Sequence, residues 1–432
     1  MWRTNIPLLS AVVLLSLAAV AVAPAAEQRQ GGHPMRQRWM DELQERIEAH
    51  RRVPVRVIVL DASGNPVEGA AVHLRMQQHH FKWGVRLDPA AGEPTGEDSP
   101  ASSVRLPGDD LPIYRLLNAV SLDAFTAWPK LEPEPGELQR EPLDRAIGLA
   151  RQRGLHVRFG PVVHADVARL PDWAVPLEGR ALAPAAKRHL QRIARHYAAA
   201  GVEIDLQAGL PGDNVVTDRL GWGGLSQLAE LARAEAPRAH WTVRYSDCLS
   251  GERLVAMHRH VTALNEAFVP IDGVAIAARL TGRVHPEALG RAMQWLAALR
   301  MPVTFVDLEV AGPDEQAAAE NMRTVLMTLF AEPSVRGVYL REVGGDDPSD
   351  TAALLDEDGE PTPAGRIFQR LVGEKWWTDL KGTSDGLGNV QARIYAGRYS
   401  IEAKLPDGTE TRVKVLVEPS DRQRVIVLRP VK

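Results

Sequence analysis

Apolar positions divide the chain into three regions with different periods. Residues 53–60 and 71–76 are strand-like runs on either side of a turn-rich segment, which predicts two β-strands. From residue 81 to about residue 375, eight short apolar runs alternate with amphipathic segments whose apolar residues recur at helical spacing. After residue 375 the pattern returns to pure strand, in four further runs. The pattern predicts an α/β region between two short all-β regions.

The central region, residues 81–375, is predicted to be a (β/α)8 (TIM) barrel, because it contains eight strand–helix units. An open doubly wound sheet is the alternative, but no glycine-rich phosphate loop follows the first strand. The β regions, residues 53–80 and 376–432, are each too small to bury a core alone. We expect them to pair into one sandwich with the barrel inserted between its halves. The alternative is two separate small β pieces.

The N-terminal segment predicts export. Residues 1–26 contain an early Arg3, an apolar run and small residues suited to cleavage, which is typical of a signal peptide. A permanent membrane anchor is the alternative, but the run is near the lower length limit for spanning a bilayer. We therefore expect a secreted or periplasmic protein without a stable membrane anchor. Residues 27–52, polar with apolar positions at near-helical spacing, are predicted to form a linking helix.

Composition excludes some functions. The 51 basic and 55 acidic residues nearly balance, which gives no reason to expect a nucleic-acid partner. Cys248 is the only cysteine, so an intrachain disulfide is impossible.

The run Val303–Val310, VTFVDLEV, combines a strand pattern with two acids. Under strict alternation Phe305, Asp307 and Glu309 share one face of the strand. Acids near the carboxyl end of a barrel strand lie where (β/α)8 proteins place their sites. Asp307 and Glu309 are therefore the candidate catalytic residues.

Residues 117–136, LNAVSLDAFTAWPKLEPEPG, resemble the second-strand segment of glycoside hydrolase family 10, the endo-β-1,4-xylanase family. Similar segments follow in the family's order, among them LPDWA, IDGVAI, LEVAGPDEQAAAENM and LLDEDGEPTPAGRIF. This resemblance implies a (β/α)8 barrel and hydrolysis of xylan-type β-1,4-glycans by two carboxyl groups about 5 Å apart. Residues 61–74 and 383–405 resemble the two halves of a carboxypeptidase-regulatory-like, transthyretin-type sandwich.

The resemblance also implies that the catalytic pair is not intact. The position of the family's acid/base glutamate is Gly209, although Asp205 is kept earlier in the same strand. Asp307 takes the place of the nucleophile and is one methylene shorter. Loss of a general acid costs on the order of 10²–10⁴-fold in rate. We therefore predict a catalytically degenerate barrel.

The family's sugar-contacting positions have changed as well. The candidate substrate-binding residues are Asp123, Trp128, His164, Trp173, Asp205, Asp247, Arg279 and Arg341. Trp128 and Trp173 are equally well interpreted as core residues. Arg279 and Arg341 are expected to hold Asp307 and Glu309 in ion pairs. His164 could be a general base or a metal ligand, but a lone histidine is a weak signal, and we expect no metal and no cofactor.

Three functions remain open. The first, which we favour, is a non-catalytic barrel that binds a xylan-type β-glycan or a protein partner. The second is an active glycoside hydrolase that uses Asp307 or Glu309 as nucleophile and Asp247 or Asp213 as proton donor. The third is an exported structural or scaffold protein with a closed barrel mouth.

Overall fold

The computed structural model describes residues 32–87, 111–164, 167–177, 179–198, 201–210, 219–220, 223–344 and 350–430. The predicted signal peptide and Asp213 lie outside these residues. Two compact units divide at Asp41, within helix α1 (Gly32–Arg51), and the second unit, Glu42–Lys432, holds all of the strands. Within the described part of the chain, no helix combines the length and the apolar composition needed to cross a membrane.

Eight parallel strands form a closed barrel. Two strands precede it in the chain, β1 (Arg52–Val59) and β2 (Ala71–His79). The barrel strands are β3 (Lys82–Arg86), β4 (Ala119–Ser121), β5 (His156–Phe159), β6 (Glu203–Ala208), β7 (His240–Ser246), β8 (Gly273–Leu280), β9 (Val303–Val310) and β10 (Val335–Leu340). Each pairs with the next in the chain, and β10 closes the barrel against β3. All eight predicted runs form these strands, so the predicted fold class is confirmed.

Helices follow the strands and cover the barrel. They are α2 (Pro112–Leu116), α3 (Trp128–Leu131), α4 (Glu141–Gln152), α5 (Gly179–Tyr197), α6 (Gly224–Glu235), α7 (Gly251–Glu266), α8 (Pro286–Ala298), α9 (Glu315–Ala331) and α10 (Pro363–Phe368). Local sequence explains several of their starts: proline occupies the first turn of α4, α8 and α10, where its missing N–H costs nothing. The Asp314 side chain caps α9 by accepting from the Ala317 N–H at 2.7 Å.

Strands that precede the barrel in the sequence pair with strands that follow it and form two further sheets. The later strands are β11 (Asp379–Thr383), β12 (Asn389–Tyr395), β13 (Gly397–Lys404), β14 (Glu410–Val417) and β15 (Arg424–Leu428). The sheet orders are β12-β1-β15 and β11-β2-β13-β14, so β1 and β2 each lie between strands from the other end of the chain. Every second residue of β1 is buried, which gives its sheet an apolar inner face.

Strand β9 does not alternate as the sequence predicts. Ala277 pairs with Val306 and Arg279 pairs with Glu309, so β9 has one more residue than β8 over the same span. The pairing with β10 shows the same extra residue. Asp307 lies within this bulge and has a positive φ of 44°.

The bulge changes which residues share a face. Val306 packs inside the barrel with Ala275, Ala277 and Tyr339, so Phe305 faces the opposite side. Asp307 nevertheless points into the barrel mouth, because the extra residue lets two consecutive side chains face inward. The prediction that Phe305 shares a face with Asp307 and Glu309 is therefore wrong.

Candidate functional site

The carboxyl ends of the barrel strands surround a cleft of about 550 Å³. Its described lining includes six cationic side chains, Arg86, Lys130, Arg169, Arg244, Arg279 and Arg341, and three carboxylates, Asp123, Asp247 and Asp307. His164 also lines it. Six of the predicted site residues therefore share one cleft: Asp123, His164, Asp247, Arg279, Asp307 and Arg341.

Arg244, near the end of β7, bridges two carboxylates with one guanidinium. Its Nη1 donates to Asp123 and its Nη2 donates to Asp307. Asp307 also accepts from Arg86 Nη1 at 3.3 Å. Burial raises the pKa of Asp307, but the Arg244 and Arg86 guanidiniums outweigh it and hold that pKa below its usual range. Asp307 is therefore an anion fixed by two cations.

A second set of charges lies below the cleft. Arg158 is fully buried, and its Nη2 donates to Asp205 Oδ1 at 2.6 Å. Thr242 Oγ1 donates to the same oxygen at 2.5 Å. Lys82 Nζ is 3.0 Å from Glu203 Oε2, and Arg158 Nε is 3.4 Å from Glu203 Oε1. Asp205 is 0% exposed, so the expectation that it contacts substrate is wrong. It is a structural ion-pair partner.

Glu309 has different partners from Asp307. Arg279 donates to its two carboxylate oxygens from Nε and Nη2, each at 3.0 Å, and Arg341 Nη1 lies at 3.5 Å. The predicted pairing is therefore correct for Glu309. For Asp307 it is wrong, because the bulge directs this side chain toward β7 and β3 instead of β8.

The acid/base position does not accept a side chain easily. Gly209 directly follows β6 with a φ of 100°, and its N–H donates to the Arg244 carbonyl at 3.0 Å. L-residues rarely adopt this backbone conformation, so a glutamate placed there would be strained.

Gly160 closes a tight contact between β5 and β6. It has a φ of 123°, and a Cβ added there would lie 2.6 Å from the Asp205 carbonyl oxygen. A histidine, like any other residue with a Cβ, would therefore clash with β6 at this position.

We expect Gly160→Ala to lower the free energy of unfolding by about 3 kcal/mol, from combined strain and overpacking. Urea unfolding monitored by circular dichroism measures this loss. Gly148→Ala in α4, where a Cβ would meet nothing within 4 Å, is the matched control. It should be neutral or slightly stabilising, since alanine is the better helix former. Equal effects of the two variants would contradict the tight contact.

Trp128 and Trp173, two of the candidate substrate-binding residues, are packing residues. Trp128 is fully buried, stacks on His189 with centroids 4.5 Å apart, and donates from Nε1 to Glu132 at 3.2 Å. Trp173 packs edge-on against Trp128 and donates to the Glu132 carbonyl at 3.1 Å. The expectation that Trp128 stacks on a sugar is wrong, because no face of it is accessible. Trp173 is half-buried and does not line the cleft.

His164 is 2% exposed and lines the cleft, and its Nε2 has no hydrogen-bond partner among the described residues. Burial, together with the nearby Arg169 and Arg244 charges, lowers the pKa of His164 to about 3. The ring is therefore neutral at physiological pH. Among the residues that the structure describes, no group of three or more His, Cys, Asp or Glu could hold a metal ion.

The described carboxylates of the cleft are poorly arranged for retaining hydrolysis, which needs one protonated carboxyl beside one ionised carboxylate. Asp123 and Asp307 are both held by the Arg244 guanidinium, so they do not face each other as a free acid and a free nucleophile. Asp247, directly after β7, is exposed and lines the cleft with a positive φ of 54°.

Sequence reasoning missed three arginines, Arg86, Arg158 and Arg244, that organise the charges of the site. Each lies within a barrel strand that also carries buried apolar residues. A cation in a strand predicted to be buried implies a buried acid nearby. An arginine within a predicted barrel strand was therefore the sequence signal that could have revealed these three residues.

Comparison with known proteins identifies the family of this protein. An eight-stranded parallel barrel with its cleft at the carboxyl ends of the strands defines a (β/α)8 protein. The model of glycosyl hydrolase family 10 matches residues 112–366. The chain belongs to glycosyl hydrolase family 10.

Two curated relatives with different names match this chain. The anti-sigma-I factor RsgI6 of Acetivibrio thermocellus is 24% identical over 85% of this chain, and endo-1,4-beta-xylanase 1 of Arabidopsis thaliana is 22% identical over 70%. The chain spans only 47% and 32% of the length of these two relatives.

Solved xylanases share the fold. Xylanase 10B of Thermotoga petrophila RKU-1, in complex with xylobiose, superposes with a TM-score of 0.58 at 14% identity, covering 68% of this chain and 95% of the xylanase. The intracellular xylanase TsXylA of Thermoanaerobacterium saccharolyticum gives a TM-score of 0.57 at 16% identity, covering 67% and 95%. At these identities the similarity establishes the fold alone.

Proposed function

We propose that this protein is an exported, non-hydrolytic member of family 10 that binds a xylan-type β-glycan in the barrel cleft. The observation that carries the proposal is the state of the two catalytic positions. Gly209 supplies no carboxyl group, and Asp307 is held by Arg244 and Arg86. A nucleophile paired with two cations and lacking a proton donor opposite retains little reactivity.

Binding is supported by the open cleft and by the relatives. A volume of about 550 Å³ is within the range of saccharide-sized and other small-molecule sites. The relative named as an anti-sigma factor matches 85% of this chain, against 70% for the plant xylanase. A relative named as a regulator over this length supports a regulatory or binding role in place of glycan degradation. Export rests on the apolar segment near the N-terminus.

The test separates binding from hydrolysis. Calorimetric titration with xylohexaose should give saturable binding, whereas incubation with xylan or an aryl xyloside should release no sugar above the blank. Asp307→Ala should leave that blank-level release unchanged. Hydrolysis by the purified protein that disappears in Asp307→Ala would overturn the proposal.

A second candidate, hydrolysis by other carboxylates, is favoured by Glu342. This residue follows β10, and burial together with the nearby Asp350 raises its pKa, the opposite direction from Asp307. Acids whose pKa values are pushed apart are typical of glycosidase pairs. This candidate predicts a bell-shaped pH–rate profile in which Glu342, as the proton donor, sets the alkaline limb, and Glu342→Gln should lower the rate and remove that limb. Asp247 remains a second proton-donor candidate in the cleft, whereas the scaffold alternative predicts no sugar binding at all.

A further inference from the structure

We propose that strand β15 (Arg424–Leu428) is a docking edge for a second copy of this chain. The β15 strands of the two copies pair antiparallel about a two-fold axis at Ile426 and join their three-stranded sheets into one. This inference goes beyond the proposed function and does not depend on it.

The first observation is the position of β15 in its sheet. It pairs with β1 on one side, and no strand in the described part of the chain pairs with its other edge. A free edge is a template for another strand, and natural proteins usually block such edges with charged side chains, proline or bulges.

The second observation is that β15 lacks this protection. The other strands at sheet edges, β11, β12 and β14, each expose charged side chains, among them Asp379, Lys381, Arg393, Arg412 and Lys414. On β15 the exposed residues are Val425 and Val427, at 51% and 53%. Since Ile426 and Leu428 are buried on the opposite face, β15 is apolar on both faces, which is typical of a strand between two neighbours.

The third observation is the direction of the backbone groups of β15. The Leu60 N–H, directly after β1, donates to the Leu428 carbonyl at 2.9 Å, so Leu428 directs its carbonyl toward β1. The N–H and C=O of one strand residue point to the same side, and those of the next residue point to the opposite side. Leu428 and Ile426 therefore pair with β1, whereas Val425 and Val427 direct their backbone donors and acceptors toward the free edge.

These directions determine the register of a two-fold pair. In antiparallel strands, residues that direct their backbone groups at each other lie directly opposite and exchange both of their N–H···O bonds. With the axis at Ile426, Val425 of each copy lies opposite Val427 of the other. Arg424, the one charged residue of β15, lies opposite Leu428 of the second copy, so no like charges face each other. A second copy therefore satisfies the outward backbone groups of both valines, because its own edge presents the same two residues.

The experiment is sedimentation of the purified protein over a concentration series. We expect a dimer that dissociates on dilution, since the pairing of two short strands buries less area than a standard interface. Val425→Lys/Val427→Lys places like charges directly opposite each other and should weaken dimerisation about 10-fold or more. Both positions are exposed, so this variant should fold, and circular dichroism verifies that it does.

Val425→Lys/Val427→Glu is the matched control. It changes the same two residues, but in this register it places lysine opposite glutamate, so it should dimerise more strongly than the double-lysine variant. Wild-type protein that stays monomeric at its highest soluble concentration would overturn the second copy as occupant and favour a strand of another protein. A dimer unaffected by the two lysines would place the interface elsewhere, and equal weakening in both variants would overturn the two-fold register.

Discussion

Arg244→Met is expected to lower the free energy of unfolding by about 3–5 kcal/mol at pH 7. The arginine side chain is 8% exposed and lies between Asp123 and Asp307, with Asp205 Oδ2 at 3.8 Å. Without the guanidinium, three carboxylates would face one another in a partly buried space with too little compensating charge. Urea unfolding at pH 7 measures the loss.

The pH dependence provides a second readout of the same variant. The folded-state pKa of Asp307 is lowered, so its contribution to stability is present above the unfolded-state pKa of about 4 and is lost as pH falls through the folded value. In Arg244→Met the freed carboxylates gain protons more readily in the folded protein. The difference in stability between wild type and variant should therefore be largest at neutral pH and smaller near pH 4.

Arg279→Met is the matched control. The Arg279 side chain is 59% exposed and pairs with Glu309 at the rim, where solvent screens the interaction. We expect a much smaller loss than in Arg244→Met, close to the error of the measurement. Equal losses for both arginines, or a loss in Arg244→Met that does not change with pH, would contradict the role assigned to the central bridge.

Arg51→Met is expected to cost about 3 kcal/mol or more. Arg51 is 6% exposed, and its guanidinium donates to the carbonyls of Phe330, Glu332 and Val335 at 2.7, 2.6 and 2.9 Å. It also lies 5.0 Å from the ring centroids of Phe81 and Phe330. Burial lowers the pKa of Arg51 to about 9, so it stays charged at neutral pH. Its loss would remove a charged donor from three carbonyls between α9 and β10.

Two substitutions test this interpretation by thermal or urea unfolding. Arg51→Lys keeps the charge but cannot reproduce the planar fork, so it should recover only part of the stability. Arg52→Met removes the adjacent arginine, which pairs with Glu48 at 2.7 Å in a more exposed setting, and should cost under about 1 kcal/mol. Full recovery in Arg51→Lys would show that charge alone, and not the three directed hydrogen bonds, is responsible.

The barrel could be predicted because its strands are short apolar runs separated by long amphipathic segments. That pattern reflects which residues are buried locally, and the order of apolar and polar residues along the chain shows it directly. Strand β11, DLKGT, escaped prediction because a single large apolar residue gives no readable period. It is a strand because it pairs with β2, which is a tertiary cause.

The site was predicted less completely, for two physical reasons. The bulge at Asp307 depends on the register of β9 against its two neighbouring strands, and no residue of VTFVDLEV predicts it. The burial of Trp128 depends on His189, which lies 61 positions away in the sequence on α5. Lost carboxyl groups, by contrast, are visible directly in the sequence, as at Gly209.

The interleaved sheets impose an order on folding. Arg56 on β1 donates to the Asn389 side chain, 333 positions later in the sequence. During synthesis, β1 and β2 emerge long before the strands that flank them, and closing so long a loop is slow. The barrel can form from neighbouring strand–helix units in the meantime. We therefore expect the two sheets to assemble last, which leaves β1 and β2 open to wrong pairing until β11 to β15 have been synthesised.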